Sequence, residues 1–103
     1  MTGSAWYKDA AGDPSRSLGE HAVSWAGEFH VYGVVWSADE LVYTLDGEEW
    51  FRSSEGLSAF DVPLFPTLNL SVFDGSEDSL GPDDSTPWPA KLYVDWVRVS
   101  AAP

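Results

Sequence analysis

Carboxylates are the most abundant side chains in this sequence that could take part in chemistry. The chain has 17 Asp and Glu residues against five Lys and Arg. A carboxylate pair performs acid–base or nucleophilic catalysis only when rigid elements hold both groups in a fixed geometry. The densest clusters lie at 46–49, the tip of a predicted hairpin, and at 74–84, a predicted loop. The first cluster is a hairpin tip and no strand fixes the second, so we assign both to solvated surface.

Other reactive side chains are sparse. The sequence has no Cys, which excludes disulfides, thiolate nucleophiles and Cys-ligated metal. His21 and His30 stand nine positions apart, a spacing that fits no metal-binding motif. Neither histidine therefore predicts a metal centre.

The formal net charge is −12 at pH 7, and the few cations are not clustered. Such a surface repels phosphates and anionic lipids, so we expect neither a nucleic-acid partner nor a membrane partner. No stretch approaches the roughly 20 apolar residues of a membrane helix. Residues 1–6 lack a basic stretch followed by an apolar run, so no signal peptide is predicted.

The chain has 103 residues, enough for one small domain, 1–103. Period-two alternation with β-branched and aromatic residues predicts strands, and Asp46-Gly47 predicts a type I′ hairpin turn. The predicted strands are 29–36, 40–45, 48–52, 67–73 and 90–99, with loops over 8–21 and 74–89. We therefore expect an all-β, antiparallel sandwich. Its predicted strands are so few that they correspond to half of a complete sandwich.

Three stretches of the sequence, within residues 29–47, 68–72 and 89–99, resemble glycoside hydrolase family 16. Phe29–Trp36 followed by Tyr43–Gly47 resembles its "FHxYxxxW … YxDG" block, and Leu68–Val72 resembles its "LNLAV" strand. Pro89–Val99 resembles its closing "PAxMxVDYVRV" strand. The resemblance implies the C-terminal half of a concanavalin A-like jelly roll, in a family that includes laminarinases, lichenases and agarases and is usually secreted.

The catalytic motif of that family does not occur in this sequence. Retaining glycosidases use two carboxyl groups about 5 Å apart, and the family places them on one strand as E-x-D-x-x-E or E-x-D-x-E. Neither spacing is present. Upstream the resemblance is looser, with Trp6-Tyr7 about where the family has an aromatic strand after its catalytic strand. No catalytic residue is carried over.

The resemblance implies three carbohydrate-binding residues, each with an alternative role. Asn69 matches a cleft asparagine that hydrogen-bonds sugar hydroxyls, or it is an outward-facing polar residue. Tyr7 is a cleft aromatic, or part of a disordered chain end. Phe73 stacks on a sugar or covers the sheet, and the sequence Phe73-Asp74-Gly75 departs from the family pattern.

Asp95 matches an aspartate that helps to ligate a structural calcium in many family members. The alternative is an inter-strand partner for an Arg or Lys. Calcium takes six to eight oxygen ligands, and most of the family's ligands come from the N-terminal half. No other cofactor is implied.

Three functions remain open at this point. The first is a non-catalytic, β-glucan-binding glucanase-like domain. The second is a fragment of a retaining endo-β-glucanase that needs an N-terminal half for activity. The third is a structural or interaction sandwich without sugar binding. Open sheet edges also predict a partner, either a second copy or a chain that supplies the N-terminal half.

Overall fold

The computed structural model of the chain describes residues 2–20, 28–72 and 81–101. These residues are all-β with antiparallel sheets, as the sequence predicts. The elements are β1 (Thr2–Lys8), β2 (Pro14–Glu20), β3 (Tyr32–Trp36), β4 (Leu41–Leu45), β5 (Glu48–Ser53) and a 3-10 turn (Leu57–Phe60). The chain divides into two compact units, Met1–Leu64 and Phe65–Pro103, which are described separately. The assignment of 1–103 to one domain stays a prediction.

Strands β1 and β2 form an antiparallel hairpin that is paired along both strands. The turn between them is held by the carboxylate of Asp9, whose Oδ1 accepts hydrogen bonds from the backbone N–H groups of Ala11 and Asp13 at 2.9 Å. Gly12 takes a positive φ of 83° in this turn. An aspartate that bonds the backbone two residues on is a common way to close a turn.

The predicted loop over 8–21 is wrong in its second half, because β2 occupies Pro14–Glu20. The prediction fails because the inward positions of β2 carry small residues rather than large apolar ones. Ser17 and Gly19 are buried and Ser15 is half-buried. Small polar residues give no period-two apolar signal, although they suit a strand that packs closely against a neighbour.

Strands β3, β4 and β5 form an antiparallel sheet with β4 in the centre. The Asp46-Gly47 turn has φ angles of 52° and 86°, so both central residues take the positive φ that a type I′ turn requires. A register shift interrupts the β4–β5 pairing between Tyr43 and Thr44. The three strands predicted for this part of the chain are confirmed.

Two aromatic rings lie directly on glycines and connect the hairpin to the region of β5. A Cβ at Gly19 would overlap the ring of Phe51, and a Cβ at Gly56 would overlap the ring of Tyr7. Gly56 also has a positive φ of 67°. The backbone therefore approaches each ring more closely than any other residue type would allow.

The ring of Phe51 in β5 also belongs to an aromatic cluster. The ring centroid of Phe51 lies 5.3 Å from that of Tyr43 and 5.9 Å from that of Trp50. Burial raises the pKa of Tyr43 above its ordinary value. Among the described residues, the buried ones are Ala5, Ser17, Gly19, Leu41 and Ser53. The first unit is thus organised by rings on small residues rather than by a large aliphatic core.

Asp46 ties the β4–β5 turn to the segment that enters β3. Its Oδ1 accepts a hydrogen bond from the Val31 N–H at 2.8 Å, and its Oδ2 lies 2.8 Å from Nδ1 of His30. The Asp46 N–H donates in return to the Val31 carbonyl at 2.8 Å. The hydrogen bond from Val31, and after it the one from His30, holds the pKa of Asp46 below its ordinary value.

The second unit lacks the strands that were predicted over 67–73 and 90–99. Residues 67–72 and 90–99 form no β-ladder with any other described part of the chain, and position 73 lies outside the described residues. The alternating pattern determines which side chains suit a sheet, but a ladder also needs a neighbouring strand with free backbone groups. The sequence pattern alone does not supply that neighbour.

The predicted loop over 74–89 is described only from residue 81 onward. There the carboxylate of Asp83 accepts hydrogen bonds from the N–H and Oγ of Ser85 at 2.8 and 2.6 Å. These bonds lower the pKa of Asp83, the Ser85 hydroxyl most strongly. The Thr86 N–H donates to the Asp83 carbonyl at 3.0 Å, so this acidic residue closes a turn.

Large apolar side chains are exposed in both units. Phe29 is 72% exposed, Phe65 is 84% exposed and Val99 is 80% exposed. In β3, Val34, Val35 and Trp36 are exposed as well. Exposed apolar surface on this scale commonly marks an interaction site. No helix in the described residues is long and apolar enough to cross a membrane.

Gly19→Ala tests the contact between β2 and β5. The added Cβ overlaps the Phe51 ring, so we expect the free energy of unfolding to fall by about 1–3 kcal/mol, the usual cost of overpacking. Urea denaturation measures it. In a Phe51→Ala background the same change should cost far less, because the overlap is gone. Equal costs in both backgrounds would contradict the contact.

Asp46→Asn tests whether the Asp46 carboxylate, through its bonds to Val31 and His30, stabilises the entry to β3. This stabilisation should depend on pH. Because folding lowers the pKa of Asp46 below its ordinary value of 3.8, the carboxylate stabilises the fold above that value. The stabilisation is lost as the pH falls through the folded-state pKa. We expect acid unfolding followed by circular dichroism to be less steep in Asp46→Asn than in wild type, and unchanged in the exposed control Asp39→Asn. Matching acid slopes in Asp46→Asn and wild type would rule out this role.

Candidate functional site

Tyr7 lies in β1 on the side of the hairpin that carries the buried Ala5 and Ser17. Its ring packs on Gly56, and its hydroxyl donates a hydrogen bond to Oε2 of Glu55 at 3.4 Å. The side chain is half-buried, so one part of the ring serves packing while another part faces solvent. A sugar-binding role for Tyr7 stays a prediction.

Trp6 is the more exposed aromatic of the β1 pair. Strand alternation places it on the opposite face from Tyr7, and it is 61% exposed. It pairs across the hairpin with Arg16, whose guanidinium carbon lies 4.9 Å from the ring centroid. In this cation–π pair the guanidinium lies over one face of the exposed Trp6 ring.

Sequence reasoning missed Arg16, because the predicted loop removed β2 and with it the partner of Trp6. The available sequence signal for this pair was the alternation of side chains along β1. That segment is too short to show whether Trp6 or Tyr7 faces solvent. Once β2 is recognised as a strand, the antiparallel register places Arg16 opposite Trp6.

Asn69 is exposed in the second unit. Its Nδ2 donates a hydrogen bond to Oγ of Ser71 at 3.1 Å, as expected for residues two apart on one face of an extended segment. Asn69 makes no other side-chain hydrogen bond within the described residues, so its amide oxygen remains accessible to a ligand. Both roles suggested for Asn69 fit this arrangement.

Phe73, the third predicted sugar-binding residue, lies outside the described residues. Asp95 is exposed in the second unit. No group of three or more His, Asp or Glu side chains that could hold a metal ion occurs among the residues that the structure describes. The calcium role of Asp95 stays a prediction, since the calcium ligands of proteins also include backbone carbonyls and water.

Two carboxylates of the first unit, those of Glu40 and Glu49, are engaged by one arginine. Arg52 Nη1 donates to both oxygens of Glu40 at 3.0 and 2.8 Å, and its Nε and Nη2 donate to Glu49 at 2.9 and 2.6 Å. The hydrogen bonds from Arg52 lower the pKa of Glu49, and the bond to Glu49 in turn raises the pKa of Arg52. A carboxylate held ionised in this way cannot donate a proton at neutral pH. Arg52 therefore links Glu40, which precedes β4, to Glu49 in β5.

Comparison with known proteins relates the sequence of this chain to one protein family. Residues 2–98 match the family described as "Glycosyl hydrolases family 16". The chain is 30% identical over 87 residues to glucan endo-1,3-beta-glucosidase A1 of Niallia circulans, covering 74% of this chain and 13% of the relative. It is 29% identical over 92 residues to a beta-glucanase of Fibrobacter succinogenes, covering 86% of this chain and 26% of the relative.

A third relative has a different name. The chain is 30% identical over 83 residues to the clotting factor G alpha subunit of Tachypleus tridentatus, covering 70% of this chain and 11% of the relative. No solved structure matches the chain. The chain thus spans between 11% and 26% of the length of these three relatives.

The family match covers nearly the whole sequence and includes all five strands. It also includes Tyr7, Asn69, Phe73 and Asp95, on which the binding and metal predictions rest. The antiparallel all-β architecture agrees with the jelly roll of this family. The chain belongs to glycosyl hydrolase family 16.

Proposed function

We propose that the chain is a β-glucan-binding, non-catalytic portion of a family 16 glucanase domain. The observation that carries the proposal is the family match over residues 2–98, together with relatives whose names specify glucanases. The sequence has no E-x-D-x-x-E or E-x-D-x-E spacing, so the proposal assigns hydrolysis to no residue of this chain.

The exposed groups of both units support sugar binding. The Trp6 ring with the Arg16 guanidinium offers an apolar plate flanked by donors, and the Asn69 amide offers a donor and an acceptor. Proteins hold sugars through just such combinations of aromatic contact and directional hydrogen bonds. The negative net charge of −12 favours a neutral polysaccharide over an anionic one.

Laminarin or lichenan, both β-glucans, should slow the purified chain in native gels, with agarose, a galactan, as the comparison. We expect Asn69→Ala to weaken the retardation about three- to tenfold in apparent affinity, because one or two hydrogen bonds of about 0.5–1.5 kcal/mol are lost. Ser100→Ala, an exposed polar truncation in the same unit, is the matched control. Mobility unchanged in every gel would refute sugar binding and favour a structural or interaction module.

A second candidate function is supported by the lengths of the relatives. Because the chain spans only 13% and 26% of the two glucanases, it also fits a fragment of a retaining endo-β-glucanase. In that case another polypeptide supplies the catalytic carboxylates. The exposed Val34, Val35 and Trp36 of the edge strand β3 are a suitable surface for that half, or for a second copy of the chain.

Co-expression with a family 16 segment that carries an E-x-D-x-x-E strand tests this second candidate. We expect the two polypeptides to co-purify and to release reducing ends from laminarin or lichenan, whereas the chain alone releases none. Light scattering on the chain alone distinguishes a homo-oligomer from a monomer. Absence of both co-purification and hydrolysis would reject the fragment function and leave the binding proposal standing.

A further inference from the structure

The segment 67–72 of the second unit contains an asparagine that is followed two positions later by a serine. Asn69 is the only asparagine in the sequence, and Asn69-Leu70-Ser71 fits the pattern of N-glycosylation acceptors, Asn-x-Ser/Thr with a residue other than proline in the middle. The family stretch "LNLAV", which residues 68–72 resemble, has an alanine where this chain has Ser71. The departure from the family stretch therefore adds the hydroxyl that completes the acceptor pattern.

Both side chains of this pattern are accessible to solvent. Asn69 and Ser71 are exposed, and the neighbouring leucines are exposed as well, Leu68 by 59% and Leu70 by 53%. Residues 67–72 form no β-ladder with any other described part of the chain. Among the described residues, neither burial nor ladder hydrogen bonds thus keep this segment from an enzyme that binds it as a substrate.

The structure also joins the two groups that the pattern requires. Nδ2 of Asn69 donates a hydrogen bond to Oγ of Ser71 at 3.1 Å. Side chains two positions apart in an extended segment lie on the same face. The amide nitrogen and the hydroxyl are therefore presented together, so one enzyme site can contact both.

We propose that Asn69 is an acceptor for an N-linked glycan, which a transferase supplies from a polyprenyl-diphosphate-linked oligosaccharide. In this transfer, Nδ2 forms a bond to the anomeric carbon of the first sugar, and the bond from that carbon to the diphosphate oxygen breaks. Polyprenyl diphosphate leaves with the bonding electron pair, and the amide gives up one proton to a base of the transferase. The step needs no oxidant or reductant. It is independent of the β-glucan binding proposed above, which concerns the unmodified amide.

Secretion of the full chain from yeast behind a cleavable leader peptide tests the proposal. We expect intact-mass spectrometry to show an added oligosaccharide that a peptide N-glycosidase removes, leaving an aspartate at the modified position. Asn69→Gln should lose this modification completely, because the sequence has no other asparagine. Ser71→Ala should lose it too, whereas Ser71→Thr, which keeps the hydroxyl, should retain it. Ser100→Ala, which truncates an exposed serine outside the pattern, is the matched control and should retain it.

Three outcomes would overturn the proposal. The first is wild type secreted without an N-linked glycan while host glycoproteins in the same medium carry theirs. The second is a glycan that persists in Ser71→Ala, since the hydroxyl then plays no part. The third is a mass increase that resists the glycosidase and is equal in Asn69→Gln, which places the sugar on hydroxyl groups. If Asn69→Gln is not secreted, loss in Ser71→Ala with retention in Ser71→Thr still supports the site.

Discussion

The ring of Phe51 on the backbone of β2 is the contact on which the first unit depends. Two sheets that each have few strands bury little surface, so their association needs a large side chain fitted closely to a flat partner. Gly19 provides that partner because a Cβ would occupy the position of the ring. Tyr7 on Gly56 repeats the arrangement at the other end of the interface. These two ring-on-glycine contacts take the place of the interdigitated aliphatic core of a larger sandwich. Each contact is therefore sensitive to the addition of a single methyl group.

Polar side chains determine where the chain turns. Asp9, Asp46 and Asp83 each accept backbone N–H groups, and together they organise the β1–β2 turn, the entry to β3 and the turn near residue 85. In a chain with 17 acidic residues, these aspartates contribute local structure, while Glu40 and Glu49 share an ion pair with Arg52. A strongly acidic composition is thus compatible with a chain in which described carboxylates act as turn caps and ion-pair partners.

The meander β3–β4–β5 could be predicted because its signals are local. Alternating β-branched and aromatic residues mark the strands, and Asp46-Gly47 sets both the turn type and the register. The hairpin strand β2 could not be predicted from local sequence. Ser15, Ser17 and Gly19 suit contacts with residues distant in the sequence, and they give no apolar alternation. For the same reason the sequence led to Tyr7 rather than to Trp6 with Arg16: only the register of β2 shows which face of β1 is outward. In the second unit the alternation of 67–72 and 90–99 was recognised, but a ladder depends on a neighbouring strand that alternation does not specify.

Binding and hydrolysis are separable in a jelly roll of this family because different strands carry them. Hydrolysis needs two carboxyl groups at a fixed separation on one rigid strand, and losing that strand removes the reaction completely. The proposed binding is spread over several elements that each add one contact, such as an exposed ring or an amide, so a part of the sheet can retain part of the affinity. In this chain the carboxylate spacing is missing from the sequence, whereas exposed aromatic and hydrogen-bonding groups remain in both units.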